Sequence, residues 1–210
     1  MPIIGITGPT GAGKTSLLRQ VEKLDGAVID CDAVYHELLN TDEDLQAALE
    51  NQFGPLRDEN GCIDRKKLGS IVFGNSEQLQ ILNSIAWAFI IAHIETLVQE
   101  YQAHGQELIA IDAIALLESS LKDLCQVTVA VIAPPEERVR RIMAREDISE
   151  EYAWARVKAQ KPNEYFTQNC DRVLVSDSKT AKKFAQKARK FLKELLAEIQ
   201  PLYDTVSSNF

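Results

Sequence analysis

No C-x-x-C pair occurs in this chain, and its four cysteines, Cys31, Cys62, Cys125 and Cys170, lie far apart. With only three histidines and none clustered beside them, the ligand spacing of a zinc site is missing. A basic surplus is missing too: 23 Lys and Arg stand against 31 Asp and Glu, a net charge of -8, which argues against a general nucleic-acid surface. No stretch is expected to stay apolar over the roughly 18 residues of a membrane helix, so the chain is expected to be soluble. The opening residues MPIIGITGP carry neither the basic region nor the small-residue cleavage site of a signal peptide, which makes cytoplasm the expected compartment. Repeats and low-complexity segments are also lacking. What is there is 210 residues, 45% hydrophobic and 26% charged, enough for one main domain of α/β size with a small insertion.

The pattern along the chain alternates between strands and helices. Ile3 to Thr7 is a short apolar run, then a glycine-rich turn, then a helical pattern from Ser16. A second strand, Gly26 to Asp30, ends in a carboxylate, and in an extended chain Asp30 and Asp32 would point to the same side. From about Val34 to Gly105 the pattern is helical, with Leu45, Ala48, Leu49 and Phe53 at helix spacing and Asp64 placed to cap a helix. A longer helix is predicted from near Asn75, with Gln78 in capping-box position and a stripe of Leu79, Leu82, Ala86, Phe89 and His93. Strands resume at Glu107 and Gln126, both nearly continuous in apolar residues, as in a parallel sheet covered on two faces. Pro134-Pro135 opens a helix through Arg145, another follows from Ser149, Arg172 begins a last strand, and a final amphipathic helix starts near Thr180. Residues 207–210 are expected to be a frayed tail.

Three groups of residues carry chemistry. Gly8, Gly13, Lys14 and Thr15 satisfy G-x-x-x-x-G-K-[ST] between a predicted strand and a predicted helix, which is the context that gives the motif meaning. Backbone N–H groups there can cradle an anion, Lys14 can reach the β and γ phosphates of ATP, and Thr15 can hold Mg²⁺. Asp30 and Asp32 sit beyond a strand's carboxyl end, where ligands of open α/β sheets gather, so Asp32 can accept or orient an attacking hydroxyl; both can instead cap the next helix. Asp112 closes an apolar strand, either as an acid that orients the metal's water or as a cap. Arg138, Arg141 and Arg145 share a helix face that could close over phosphates, although Glu137 at i, i+4 offers Arg141 a plain surface ion pair.

Taken together, GPTGAGKTS, IDCDAVYHEL, FGPLRDENGCIDRKKL, IDAIALLESSL, RRIMARED and the AQ at 159–160 resemble the dephospho-coenzyme A kinase family over nearly the whole chain. The resemblance implies transfer of the ATP γ-phosphate to the ribose 3'-hydroxyl of dephospho-coenzyme A. It implies a three-layer α/β/α fold with a P-loop and a five-stranded parallel sheet. The core would be residues 1–36, 105–137 and 168–210, with a helical substrate-binding insertion at 37–104 and a lid at 138–167. By the same carry-over Asp32, Lys14 and Arg141 are catalytic. Gly8, Gly11, Ala12, Gly13, Lys14, Thr15, Ser16 and Arg145 bind ATP. Asp30, Asp32, His36, Asp64, Arg65, Asp112 and Glu118 face the acceptor, and Thr15 holds Mg²⁺ with Asp32 or Asp112. The expected partner is dephospho-coenzyme A, with no nucleic acid, no membrane, and a monomer or weak homo-oligomer as the assembly.

Departures from the family pattern are Trp87-Ala88 in place of a His-Pro pair, which should leave the long helix unbroken, Ile114 in place of a proline, and Ser176-Asp177-Ser178 in place of an Asn and Gly. Two alternatives stay open. One is another small-molecule or nucleoside-monophosphate kinase of this fold; the other is a nucleotide-binding protein without catalysis. A GTP switch would need N-K-x-D, which does not occur.

Overall fold

A computed structural model describes residues 1–178 and 180–207, with side chains described as far as Ile199. The elements in chain order begin β1 (Ile3–Thr7), α1 (Lys14–Glu22), β2 (Ala27–Asp30), α2 (Cys31–Thr41), α3 (Glu43–Phe53), α4 (Arg65–Val72) and α5 (Ser76–Ala103). They continue with β3 (Ile109–Asp112), a short 3-10 turn (Leu116–Glu118), α6 (Leu121–Leu124), β4 (Val127–Ile132), α7 (Pro135–Glu146), α8 (Glu150–Lys158), α9 (Asn163–Asn169), β5 (Arg172–Val175) and α10 (Ala181–Ser207). Ser207 thus closes a helix, and the remainder of the expected frayed tail, 208–210, lies outside the described residues.

Two compact units divide the chain, Met1–Ile29 with Tyr101–Phe210, and Asp30–Glu100. In the first, the strands form a parallel sheet in the order β2-β3-β1-β4-β5. Every residue of β1 and of β4 is buried, which is why both read as unbroken apolar runs without alternation. The core gathers Ile4, Ile6, Val129 and Val131 of the sheet with Leu17 and Val21 of α1 and Phe184, Ala188, Leu192 and Leu195 of α10. The i, i+4, i+8 spacing in α10 places those residues on one stripe and leaves its lysines outside.

The second unit is helical. Side-chain oxygens start its helices: Asp30 accepts from the N–H of Asp32 and Ala33, Asp42 from Leu45, Asp64 from Lys66 and Lys67, and Asn75 from Glu77 and Gln78. Each satisfies N–H groups that a helix start leaves without partners. Between α3 and α4 the FGPLRDENGCID segment is a tight turn. Asp58 accepts from Asn60 and Cys62, and Arg57 pairs with Glu50 at 3.0 Å while donating to the Gly61 carbonyl.

Two expectations about α5 need correction. The buried positions are Ala86, Ile90, Ile94 and Val98, a strict i, i+4 stripe, whereas Leu79 is exposed and Phe89 and His93 are half-buried. Because α5 is apolar on most sides, periodicity alone does not single out the packed face. For the same reason the expected absence of a long apolar stretch fails: α5 contains an 18-residue window of mean hydropathy 1.7 and meets the length and composition of a membrane helix. The helix does run unbroken through Trp87 and Ala88, as their replacement of His-Pro predicts.

All four cysteines are free thiols. Burial pushes Cys125 up to about 12 and Cys170 up to about 11, while Cys62 is exposed on its turn. Iodoacetamide at pH 8 is therefore expected to alkylate Cys62 first, because the thiolate is the reacting form. Peptide mass mapping over time checks this; alkylation of Cys125 at an equal rate would contradict its burial.

Candidate active site

β1 has β3 on one side and β4 on the other, so the segment leaving Thr7 enters the crevice where strand connections diverge. Gly8 makes that exit possible. Its φ is +136°, and a Cβ there would stand 2.1 Å from the Val131 carbonyl oxygen of β4, closer than any side chain can sit. Gly13 follows in the left-handed region at the start of α1, turning the chain so that the first amides of the helix face outward without intrahelical acceptors. This is the geometry of an anion site at a helix N-terminus.

Lys14 folds back over the loop, with Nζ 3.3 Å from the Gly8 carbonyl oxygen and 3.8 Å from Asp112 Oδ1. The parallel register explains the second contact: Asp112 lies opposite Ile6, at the carboxyl edge of the sheet. Arg141, from α7, caps the other side. Its Nη1 donates to the carbonyls of Gly11 and Ala12, each at 3.1 Å, and its Nη2 to that of Ser176 at 3.4 Å. Burial holds its guanidinium below the ordinary arginine value, and Glu137, 3.8 Å away, works in the opposite direction. The surface ion pair with Glu137 therefore exists, but the loop is the main partner.

Two cavities flank this loop within the same unit. One, of about 350 Å³, is bounded by Gly13, Ser16, Arg141, Ser178, Thr180 and Phe184. The other, of about 420 Å³, is bounded by Pro9, Ile114, Glu118, Gln160, Lys161 and Phe166. Glu118 Oε1 accepts a 2.9 Å hydrogen bond from the Tyr165 hydroxyl across that second cavity's wall.

The remaining sequence candidates are distributed as follows. Gly11, Ala12, Thr15 and Ser16 belong to the loop and the first turn of α1. Arg145 is not brought to the loop: it lies one turn past Arg141, is exposed, and pairs with Glu146 at 2.5 Å. Asp30, Asp32, His36, Asp64 and Arg65 lie in the helical unit. Asp30 and Asp32 do not share an extended segment as expected. Asp30 ends β2 and caps α2 through Oδ1, so Asp32 stands exposed on that helix's first turn. His36 is exposed one turn further, its ring 5.9 Å from that of Tyr35, whose hydroxyl is raised by burial against the opposing charge of Arg65.

The dephospho-CoA kinase family model matches residues 2–182. The chain belongs to the dephospho-CoA kinase family. Among its relatives, the dephospho-CoA kinase of Carboxydothermus hydrogenoformans is 35% identical over 175 residues, 83% of this chain and 85% of that protein. That of Dehalococcoides mccartyi is 34% identical over 76% of this chain and 81% of its own. In three dimensions the chain is similar to TT1252 from Thermus thermophilus, with a TM-score of 0.75 at 29% identity over 94% of this chain and 97% of that one. A shikimate kinase from Bacteroides thetaiotaomicron shares the fold, at a TM-score of 0.50 and 15% identity over 93% of this chain and 98% of its own. As a kinase of this family, the chain takes ATP as its phosphate donor.

Sequence reasoning named Arg138, Gln160 and Ser176 but not the burial of Arg138 and Ser176 beside the loop or the bonds that join Arg138 and Gln160 to it. Arg138 is 2% exposed and bonds to Thr10 and Gln160, and the Ser176 hydroxyl is buried without a hydrogen-bond partner among the described residues. The AQ at 159–160 was the available signal for Gln160. Nothing in residue type separates a buried Arg138 from an exposed one.

Proposed function

We propose that this chain transfers the γ-phosphoryl group of ATP to the ribose 3'-hydroxyl of dephospho-coenzyme A, giving coenzyme A and ADP, the last step of coenzyme A synthesis. The observation that carries this reading is the family match over residues 2–182. The phosphate loop supplies its donor half: Gly8, Gly11, Ala12 and Gly13 shape the cradle, and Lys14 and the helix amides meet the triphosphate. The 350 Å³ cavity beside Gly13 and Phe184 suits the nucleoside end of ATP, and Ser16 borders it. The 420 Å³ cavity beside Glu118 suits part of the acceptor.

Asp32 is the general base of this proposal. It takes the proton of the 3'-hydroxyl as that oxygen bonds to the γ-phosphorus, while the bond from phosphorus to the β–γ bridging oxygen breaks and ADP departs. Lys14 and Arg141 offset the charge gathering on the phosphoryl oxygens. The Thr15 hydroxyl and Asp112 carboxylate are hard oxygen donors of the kind Mg²⁺ takes, few in number because the nucleotide supplies the rest; bound there, Mg²⁺ would screen the phosphate charge. Asp30, His36, Asp64, Arg65 and Glu118 are assigned to the acceptor side, with 37–104 as the acceptor-binding insertion and 138–167 as the lid. Free thiols throughout fit a reducing compartment such as the cytoplasm.

The test is an acceptor panel. With Mg·ATP, ADP release should rise in proportion to added dephospho-coenzyme A and stay at background with shikimate and with nucleoside monophosphates. Background release with dephospho-coenzyme A, alongside turnover of another acceptor, would overturn the assignment.

A further inference from the structure

Arg138 is an unusual cation. Only 2% of it is exposed, and burial lowers its guanidinium from the ordinary arginine value, with no carboxylate among the described residues acting against that. Its neighbours Arg140 and Arg141 both pair with Glu137. The partners of Arg138 are neutral: Nε donates to the Thr10 carbonyl at 3.0 Å and Nη2 to Gln160 Oε1 at 2.6 Å. Gln160 in turn grips the same loop residue twice, accepting from the Thr10 N–H at 3.0 Å and donating from Nε2 to Thr10 Oγ1 at 2.7 Å. One residue of the phosphate loop is thus held at its N–H, its carbonyl and its hydroxyl by two side chains from α7 and from the end of α8.

A buried charge is costly unless it is paired, and a carboxylate would be the ordinary partner. An amide holds the guanidinium geometrically but leaves its charge in force. Low polarizability around the pair lets that charge act at longer range than it would in water. Gly11 packs on the Arg138 backbone, where an added Cβ would meet the Arg138 carbonyl oxygen at 2.9 Å, so the loop and the helix that carries this charge lie in close backbone contact.

We propose that Arg138 and Gln160 form a charged clamp that positions the phosphate loop and supplies it with an uncancelled positive charge, raising its affinity for the triphosphate in proportion to the ligand's own charge. Both are positioning residues, acting through Thr10. The inference rests on the ATP-site reading of this loop.

Gln160→Glu is the decisive variant, since a carboxylate at 160 keeps the shape and gives Arg138 an ion-pair partner while cancelling its charge. By calorimetry without acceptor, Q160E is expected to bind ATP about 10-fold more weakly than the wild type and ADP by a smaller factor. Its melting temperature should match or exceed the wild type's. Arg138→Gln should show the same ordering of ATP over ADP losses. ATP and ADP affinities of Q160E within twofold of the wild type would overturn the clamp's charge role. So would equal losses for both nucleotides, or a Q160E protein that does not fold. Failure of the wild type itself to bind ATP would sink the loop reading instead.

Discussion

Asp32→Asn is expected to lower kcat by about 10²–10⁴-fold, the range a positioned general base contributes, with ATP affinity nearly unchanged. The asymmetry follows from where the residue stands. Asp32 is exposed on the first turn of α2, and the cap that starts that helix belongs to Asp30, so removing its charge should leave the helix intact. Asp30→Asn, by contrast, should keep the start of α2, since asparagine also caps well, and should raise KM for the acceptor more than it lowers kcat. Steady-state kinetics with both substrates, together with calorimetric ATP binding, separate the two. Turnover by Asp32→Asn within tenfold of the wild type would remove Asp32 from the chemistry.

Lys14→Met should cost about 10²–10³-fold in kcat/KM for ATP, the order found when one preorganised charge at a developing anion is lost. Two effects combine here. The ammonium no longer meets the phosphates, and Asp112, 3.8 Å from it, loses this cation while facing a polyanion. The double variant Lys14→Met/Asp112→Asn should therefore lose less than the product of the two single losses, which a double-mutant cycle in kcat/KM measures. Strict additivity would mean that the two side chains act independently.

Much of the architecture could be read from residue chemistry because its signals are local. Asn75 and Asp64 cap the helices they precede, Pro135 opens α7, and the unbroken runs at 109–112 and 127–132 are buried strands. Errors arose where local signals have two outlets. The spacing of Asp30 and Asp32 suits a pair on one strand face, yet the same aspartate that ends the strand is a strong cap, and the cap draws Asp32 into a helix. In α5 an apolar surplus blurred the buried stripe. The arginine face of α7 shows a third limit, because Arg138, Arg141 and Arg145 are chemically alike. Their fates run from fully buried to exposed according to what the loop and Gln160 offer each one.

β2 and β3 are neighbours in the sheet and run in the same direction, so the chain must return from the carboxyl end of β2 to the amino end of β3 between them. A dozen or more residues suffice for such a return, usually one helix. Here the return runs from 31 to 108 and carries α2 through α5. The sheet constrains only where this excursion departs, after Asp30, and where it re-enters, beside the Ala27 to Leu108 hydrogen bond of 2.9 Å. Past the first turn of α2, which holds Asp32, the helices of this excursion can be lengthened, shortened or recomposed without disturbing a strand register or the loop after β1. On the proposed assignment of 37–104 to the acceptor, a change of acceptor could therefore be selected, or engineered, by exchanging α3 through α5 while Asp32 and the ATP machinery are inherited whole.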